Sequence, residues 1–233
     1  MTKSQRMPVA DRIAVAVMAR APSDKHGKTR LVSALDSADS LSLRRALLVD
    51  TLEVVRRVGG SDRLVLFSPA TAEAEFATLT GGTMSLIPQR GNDLGERMDH
   101  GFRDLFARGY SGALVVGSDL PTLPPAYLEQ AVAELTRHID PVVLGPALDG
   151  GYYLIGLRRN HPALFRSIPW STSATLSATL DAAERAELPV SLVPPWYDVD
   201  SVDDLRRVLD ASAGTIPNAR HTKAWLASRF GGA

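Results

Sequence analysis

The sequence of 233 residues contains no cysteine. This absence excludes a disulfide framework, a zinc site built on thiolates and a cysteine nucleophile. Five histidines are present, but they are scattered along the chain, and no two of them have the spacing of paired metal ligands. Sulfur-based and histidine-based sites are therefore not indicated.

The sequence also lacks a long apolar run and an excess of charge of one sign. No apolar run approaches the ~18 residues of a membrane helix, so we expect no membrane span. Lys+Arg and Asp+Glu both count 26, which indicates neither a nucleic acid nor an anionic membrane as partner. The apolar stretch from Ile13 to Ala19 follows basic residues, as in a signal peptide. We interpret it instead as the first strand of a cytoplasmic domain, because the loop after it carries functional residue types.

Short apolar runs alternate with longer helical patterns along the chain. The predicted strands are Arg12–Met18, Arg63–Phe67, Met84–Ile87, Ala113–Gly117, Val142–Gly145, Tyr152–Gly156 and Val190–Val193. The predicted helices are Ser40–Val58, Ala72–Leu79, Leu94–Arg108, Pro125–His138, Thr172–Glu187, Val202–Leu209 and Ala219–Phe230. Strands that alternate with helices predict βαβ units, and therefore an α/β three-layer sandwich with a mostly parallel open sheet.

Residues 12–210 contain all of the predicted strands, and we expect them to form one domain. The composition, 45% hydrophobic and 22% charged, is typical of a globular protein, and the length suits one α/β domain. We expect residues 1–11 to be a flexible N-terminus and residues 211–233 to be a helical C-terminal extension; no feature indicates an oligomeric state. Ligands of open α/β sheets bind beyond the carboxyl ends of the strands, so the residues that directly follow each strand are the functional candidates.

The loop after the first predicted strand is basic. Between residues 20 and 30 it carries Arg20, Lys25, Lys28 and Arg30 against one aspartate. Lysine and arginine suit phosphate oxygens, so we interpret the loop as a phosphate cradle for a nucleotide; a solvated basic loop is the alternative. The loop does not have the glycine spacing of a P-loop.

Two further strand ends present an aspartate. Asp119 comes directly after a predicted strand, where it could bind Mg²⁺, because Mg²⁺ usually takes only one or two carboxylates besides water and substrate phosphates. An Asx-turn is the alternative for this residue. Asp149, Gly150 and Gly151 predict a hairpin turn that also presents Asp149 and bare backbone to a substrate.

Asp198 and Asp200 follow the last predicted strand and flank Val199. We expect Val199 to point into the core, so that both acids face the sheet edge. Two carboxylates ~4 Å apart repel by ~4 kcal/mol at an effective dielectric constant of ~20, so an acid cluster requires a shared proton or a divalent cation. With Asp119 and Asp149 at the same edge, the pattern predicts a Mg²⁺ or Mn²⁺ site facing a phosphate-binding loop.

Two predicted helix starts contain further candidates, beginning with the segment from Gln89 to Met98. Asp93 and Glu96 resemble a capping box, which accounts for both acids. Gln89 and Arg97 are kept as candidate contacts to the nucleotide or the substrate.

The other helix start follows Trp170. Ser171 or Thr172 is the expected N-cap, and Thr172 is also a candidate substrate contact. Trp170 is either a packing residue or a platform for the acceptor. The segment Ser201–Asp204 resembles another capping box, so its acids are assigned a structural role.

Several of these segments recur together in a known family. They are Lys28–Leu31, Asp93–Met98, Gly117–Pro121, Asp149–Leu157, Trp170–Thr172 and Asp198–Asp200. In this order, over about residues 12–210, they resemble the bacterial GT-A-fold proteins called selenodomain-associated transferases, or arsenosugar-biosynthesis-type glycosyltransferases. The resemblance implies a nucleotide-diphospho-sugar transferase fold. It also implies that Asp119 and Asp200 bind a metal and that Lys28 and Arg30 bind phosphate.

Three functions are compatible with these residues. The first is glycosyl transfer from a nucleoside-diphosphate sugar to a small-molecule acceptor, with a metal ion at the leaving diphosphate and Asp149 as base. The second is nucleotidyl transfer, in which a phosphorylated acceptor attacks the α-phosphate of a nucleoside triphosphate and pyrophosphate leaves. The third is a non-catalytic nucleotide-binding module, which has less need of an acid cluster. We favour the first.

Overall fold

The computed structural model describes residues 12–24, 37–210 and 219–230. Its strands are β1 (Ile13–Arg20), β2 (Ser61–Ser68), β3 (Ser85–Pro88), β4 (Gly112–Val116), β5 (Val142–Pro146), β6 (Tyr152–Leu157) and β7 (Val190–Leu192). Its α-helices are α1 (Ser37–Arg56), α2 (Glu73–Thr80), α3 (Leu94–Ala107), α4 (Pro125–Arg137), α5 (Thr175–Arg185), α6 (Val202–Asp210) and α7 (Arg220–Phe230). The segment 1–11, expected to be flexible, lies outside the described residues, as do residues 211–218 and 231–233 of the C-terminal extension.

Seven strands form one sheet in the order β3-β2-β1-β4-β6-β5-β7. Neighbouring strands are parallel, except that β6 runs antiparallel to both β4 and β5. Only residues 147–151 connect β5 to β6, and a parallel crossover needs a dozen residues or more. The short hairpin therefore dictates the antiparallel strand, and the prediction of a mostly parallel sheet is confirmed.

The alternation of side chains along β1 separates two cores. Val15 and Val17 pack with α1, α2 and α4 on one face of the sheet, whereas Ala14 and Ala16 pack with α3 and α5 on the other. All four side chains are fully buried, as expected for a strand covered on both faces. Phe102 of α3 is also fully buried, and burial of such a side chain stabilises the fold by about 1.5–3 kcal/mol. The predicted three-layer sandwich is confirmed.

Side-chain caps begin two of the helices as predicted. The carboxylate of Asp93 accepts the N–H of Glu96 at 2.8 Å at the start of α3. At the start of α6, Ser201 N–H donates to Asp204 at 2.9 Å, and Asp204 N–H donates to the Ser201 hydroxyl at 3.2 Å. All predicted strands and helices are present, and their boundaries differ from the prediction by three residues or fewer.

The predicted cap of α5 is wrong. The helix begins at Thr175, later than predicted, and neither Ser171 nor Thr172 is its N-cap. The hydroxyl of Thr172 instead donates to the carbonyl of Pro169 at 2.8 Å and accepts the N–H of Ala174 at 3.2 Å. These local bonds stabilise a turn before the helix, because a threonine hydroxyl competes with helical backbone bonding.

The predicted C-terminal helix is confirmed as α7, which packs on α1. Leu226 of α7 joins Leu47 of α1 in a third buried cluster. The buried carboxylate of Asp50 accepts the N–H groups of His221 and Thr222 at 3.1 and 2.7 Å, and so caps the first turn of α7 from outside. None of the described helices is long and apolar enough to cross a membrane.

Candidate active site

A cavity of about 530 Å³ opens beyond the carboxyl ends of β1 and β4. These neighbouring strands lie where the strand order reverses, since β2 and β3 extend the sheet on one side and β6, β5 and β7 on the other. Ligands of open α/β sheets bind at this point. The predicted site residues that line the cavity are Asp119, Asp149, Gly151, Trp170, Thr172, Asp198 and Asp200.

Asp119 lies in the loop after β4, and backbone hydrogen bonds fix this loop on two sides. The N–H of Leu120 donates to the buried hydroxyl of Thr51 in α1 at 3.0 Å. The carbonyl of Asp119 accepts the N–H of Val199 at 2.9 Å. The second bond places Asp119 beside the segment that precedes α6.

Asp198 and Asp200 in that segment also line the cavity. Val199 between them is fully buried and anchors the segment in the core. The N–H groups of Asp200 and Ser201 donate to the carboxylate of Asp204 at 3.3 and 2.9 Å. The helix cap therefore engages Asp204 and holds Asp198 and Asp200 at the cavity.

The carboxyl groups influence one another. The pKa of Asp198 is raised from 3.8 to about 7, first by burial and then by the charge of Asp200, a hydrogen bond with Asp200 and the charge of Asp149. Near neutral pH, both the protonated and the ionised form of Asp198 are therefore populated. A divalent cation with a preference for oxygen ligands could replace this proton, and carboxylates are the ligands that Mg²⁺ and Mn²⁺ prefer.

Asp149 is exposed in the hairpin between β5 and β6. Its Oδ1 accepts the N–H of Gly151 at 2.9 Å, which orients the carboxylate at the cavity. Gly150 has a φ of +90°, and a Cβ there would lie 2.3 Å from the carbonyl oxygen of Ser173. The hairpin can approach the segment before α5 this closely only with glycine at this position. Gly150 therefore supports the turn, and Gly151 lines the cavity.

Met18, Leu94, Met98, Tyr152 and Trp170 form a second group of lining residues, which we name the apolar wall. The rings of Tyr152 and Trp170 meet edge to face, with centroids 6.3 Å apart. The hydroxyl of Tyr152 lies 3.9 Å from the sulfur of Met98, and burial raises the pKa of this hydroxyl, so the phenol stays neutral. Trp170 thus packs within the wall and also borders the cavity.

The predicted phosphate-binding loop is described only at its beginning. Lys28 and Arg30, like Lys25, lie outside the described residues. Arg20 at the end of β1 is exposed, and its guanidinium pairs with Asp24 at 3.2 Å. Arg20 is not among the residues that line the cavity in the described part of the chain.

Gln89 and Arg97 also lie outside the described lining, and both make bonds within the fold. The side-chain amide of Gln89 donates to the carbonyls of Ala19 and Leu66 at 3.1 and 2.7 Å, and so links the ends of β1 and β2. The guanidinium of Arg97 donates to the carbonyl of Gly91 at 3.1 Å. These bonds give both side chains a structural role.

Sequence reasoning missed Thr51 and most of the apolar wall. Thr51 lies within the apolar stripe of α1, and nothing in the sequence shows that its hydroxyl meets the Asp119 loop. Leu94 and Met98 carry the helical apolar pattern that is typical of core residues. The position of Met18 at the cavity could have been predicted, because Met18 lies near the end of a strand that was expected to border the ligand site.

A different acidic group was also not predicted. Asp50, Glu53 and His221 bring ligand atoms within 4.8 Å of one another, a spacing that could hold a metal ion. Their contacts give them another role, because Asp50 caps α7 and the carboxylate of Glu53 accepts from Arg220 at 2.6 Å. We therefore interpret the group as the anchor between α1 and α7.

Solved structures of other proteins share the fold of this chain. The crystal structure of a candidate nucleotide-diphospho-sugar transferase from Desulfovibrio desulfuricans G20 matches with a TM-score of 0.80 and 29% identity, over 94% of this chain and 98% of that one. CMP:2-keto-3-deoxy-manno-octonic acid synthetase in complex with CTP matches with a TM-score of 0.56 and 12% identity, over 85% and 97% of the two chains. The manganese complex of Rv0371c from Mycobacterium tuberculosis H37Rv matches with a TM-score of 0.54 and 18% identity, over 86% and 100%.

Sequence comparison identifies the family. No curated protein matches the sequence. The profile of the family described as "Uncharacterized protein conserved in bacteria (DUF2064)" matches residues 51–172, which is more than half of the chain and includes Asp119, Asp149 and Trp170. The chain therefore belongs to this bacterial family, and its fold is of the nucleotide-diphospho-sugar transferase type.

Proposed function

We propose that the protein is a metal-dependent glycosyltransferase with a nucleoside-diphosphate sugar as donor and a small molecule as acceptor. The observation that carries the proposal is the convergence of Asp119, Asp149, Asp198 and Asp200 on one cavity. The charges of Asp200 and Asp149 disfavour ionisation of Asp198, and a bound cation would offset this repulsion. The similarity to the candidate nucleotide-diphospho-sugar transferase from D. desulfuricans supports this class of donor.

Asp119, Asp198 and Asp200 would hold Mg²⁺ or Mn²⁺. The raised pKa of Asp198 supports the fit, because burial and the charge of Asp200 make a second negative charge unfavourable there, and a divalent cation removes that cost. The manganese complex of Rv0371c, which shares the fold, supports a divalent metal in proteins of this architecture. When bound, the ion would neutralise negative charge on the leaving diphosphate.

Asp149 is the proposed general base. Its carboxylate is exposed at the cavity, and the bond from Gly151 N–H fixes one of its oxygens. It would accept the proton of the acceptor hydroxyl as that oxygen attacks the donor. Lys28 and Arg30 would bind the diphosphate, since they belong to the loop that begins at Arg20, at the end of β1.

Nucleotidyl transfer is the second candidate. The synthetase that was crystallised with CTP shares the fold and supports it. In that reaction a phosphorylated acceptor would attack the α-phosphate of a nucleoside triphosphate, and pyrophosphate would leave. A non-catalytic nucleotide-binding module is the least supported alternative, because simple binding does not need four carboxylates at one cavity.

Product analysis separates these functions. Purified protein with Mn²⁺ is first screened by thermal shift against nucleoside diphosphates, nucleoside triphosphates and nucleotide sugars, because a ligand of the native state raises the melting temperature. The ligands that bind are then incubated with the protein, and the products are resolved by chromatography. Release of a nucleoside diphosphate from a nucleotide sugar supports glycosyl transfer, whereas release of pyrophosphate from a triphosphate supports nucleotidyl transfer.

Asp119→Asn tests the role of the acid cluster. We expect the variant to lose turnover while its circular dichroism spectrum stays unchanged. Asp203→Asn is the control, since Asp203 is exposed and pairs with Arg206 on the surface of α6. If calorimetry shows no metal-dependent binding of any nucleotide, all three candidate functions fail.

A further inference from the structure

The cavity combines two chemically different groups of residues. Asp119, Asp198 and Asp200 all line the cavity, and the N–H of Val199 joins their two segments by donating to the carbonyl of Asp119 at 2.9 Å. The apolar wall forms the other group and contains no charged side chain. A substrate that fills the cavity therefore meets carboxylates with one part and apolar surface with another.

Three hydroxyl groups in or beside the apolar wall are engaged within the protein. The hydroxyls of Thr172 and Thr175 both donate to the carbonyl of Pro169 at 2.8 Å. The hydroxyl of Tyr152 interacts with the side chain of Thr179 and lies near the sulfur of Met98. The apolar wall thus presents mainly carbon and sulfur surface, and methionine adapts its shape to varied apolar groups.

Leu94 shows that the apolar character extends to the mouth of the cavity. It is 41% exposed, although it occupies the first position of α3, directly after the N-cap Asp93. An acidic residue is favoured at such a position, because the N-terminus of a helix carries partial positive charge. Leucine gains nothing from this partial charge, and its exposed side chain lines the cavity, where an apolar part of a ligand can contact it.

We infer that the apolar wall binds the apolar body of the acceptor, and that the acceptor is an alcohol with an aromatic or branched-alkyl group. This inference rests on the proposed glycosyl transfer. The acceptor oxygen attacks the anomeric carbon of the donor and forms the new C–O bond. The bond between that carbon and the phosphate oxygen breaks, its electron pair leaves with the nucleoside diphosphate, and the hydroxyl proton passes to Asp149.

A nucleobase fits the apolar wall less well. Its ring edge carries several donors and acceptors, and burial without partners costs about 1–3 kcal/mol for each such group. The hydroxyls of Tyr152, Thr172 and Thr175 are bonded to other protein groups. An aryl or alkyl group makes no such demand, because its burial depends on apolar area alone.

Binding of 2-naphthol, an aromatic alcohol, tests the inference. Isothermal titration calorimetry is carried out on the full chain, with methyl β-D-glucopyranoside as the polar comparison. Leu94→Glu is the test variant, since glutamate suits the first turn of a helix but brings charge to the apolar wall. Leu41→Glu is the matched control, because Leu41 is 40% exposed, lies in α1 and does not line the cavity.

We expect 2-naphthol to bind the native chain and the Leu41→Glu variant equally. Leu94→Glu should weaken its binding about tenfold or more, which corresponds to about 1.4 kcal/mol, and Leu94→Met should restore it. The glucoside should bind much more weakly than 2-naphthol. Equal 2-naphthol affinity in the two glutamate variants, or preferential binding of the glucoside, would overturn the inference.

A second titration distinguishes the acceptor from the nucleobase. The 2-naphthol titration is repeated with Mn²⁺ and saturating CDP, UDP, GDP or ADP, because the proposed donor carries its base on a nucleoside diphosphate. Unchanged 2-naphthol affinity beside a bound nucleotide supports an acceptor site, whereas competition assigns the apolar wall to the base and overturns the inference. If no nucleotide binds, the proposed function fails, and the acceptor assignment fails with it. The Leu94→Glu comparison needs no nucleotide, so it tests binding at the apolar wall independently of the proposed function.

Discussion

The buried hydroxyl of Thr51 accepts the N–H of Leu120 at 3.0 Å and thereby ties α1 to the loop that carries Asp119. The same hydroxyl donates to the carbonyl of Leu47 at 2.9 Å, so both of its hydrogen-bonding functions are used inside the protein. The preceding residue, Asp50, caps α7. Helix α1 therefore connects the proposed metal site on one side with the C-terminal helix on the other.

Thr51→Val should weaken metal binding. Valine has nearly the same shape as threonine but leaves the N–H of Leu120 without its partner, and an unsatisfied buried donor costs about 1–3 kcal/mol. The loop can escape this cost by moving, which displaces Asp119. We expect a Mn²⁺ affinity several-fold lower, about 1 kcal/mol or more, measured by calorimetry, whereas Thr51→Ser should bind normally. Native affinity in Thr51→Val would show that the bond does not position Asp119.

Asp50→Asn should detach α7 without removing the proposed metal site. The carboxylate of Asp50 accepts both the N–H and the hydroxyl of Thr222 at 2.7 Å, and bonds to a charged acceptor contribute about 1.5–3 kcal/mol. Both donors bind one carboxylate oxygen, and the other oxygen accepts the N–H of His221 at 3.1 Å. An amide has a single acceptor oxygen, so its NH₂ group must replace one of these two acceptors and lose the bonds made there. Hydrogen exchange should show faster exchange in α7, and the free energy of unfolding should fall by about 1.5–3 kcal/mol.

Glu53→Gln is the control for this variant. Its partner Arg220 is largely exposed, and such pairs typically contribute about 0–1 kcal/mol.

His221→Asn tests whether the group of Asp50, Glu53 and His221 anchors α7 or binds a metal ion. We expect native Mn²⁺ affinity in this variant and loss of binding in Asp200→Asn. The reverse result would show that the metal binds between α1 and α7.

The sequence predicted the elements of the fold better than their arrangement. The alternation of short apolar runs with helical patterns located every strand that the structure describes. The runs of β1 and β4 are continuous, because their sheet is covered on both faces. The hairpin predicted at Asp149–Gly151 implies that β6 runs antiparallel to β5, and the structure confirms this pairing. The sequence alone does not determine that β6 lies between β4 and β5, since this position depends on packing between distant segments.

The residues of the candidate site were predictable where they directly follow a strand. That Asp119 and Asp200 would lie at the same edge, where both line the cavity, was predictable because the carboxyl ends of strands meet there. The bonds of Gln89 and Arg97 were not predictable, since a polar residue near a site has the same sequence pattern whether it binds a ligand or a backbone carbonyl. Leu94 was missed for the opposite reason, because its apolar character suggests only core packing.

Gly150→Ala should disturb the hairpin that presents Asp149. Its φ of +90° is strained for alanine, and the new Cβ would lie 2.3 Å from the carbonyl oxygen of Ser173. Gly82→Ala is the matched control, because Gly82 has a φ of +69° with open space around its Cβ position. Positive φ alone costs about 1–2 kcal/mol, so Gly150→Ala should destabilise the protein more than Gly82→Ala in urea unfolding. Equal losses of stability would show that the hairpin can move away from Ser173.

Asp198 should make the metal-free protein less stable as the pH rises. Its pKa is about 7 in the folded protein, against 3.8 ordinarily, with burial as the main cause. Between these values the folded chain keeps a proton that the unfolded chain has released, so the stability from this group is complete below about pH 4 and lost as the pH passes about 7. The side chain is partly exposed, which limits the loss to roughly 1–3 kcal/mol.

Asp198→Asn removes this titration. Without metal, the variant should be more stable than the native chain at about pH 8 and no more stable at about pH 4, whereas Asp203→Asn should follow the native curve at both. Added Mn²⁺ should stabilise the native chain most at about pH 8, where it meets ionised carboxylates, and should stabilise Asp198→Asn less. Urea unfolding at both pH values, with and without Mn²⁺, measures all of these differences. Parallel pH curves for the native chain and Asp198→Asn would show that Asp198 is not the group that carries the shared proton.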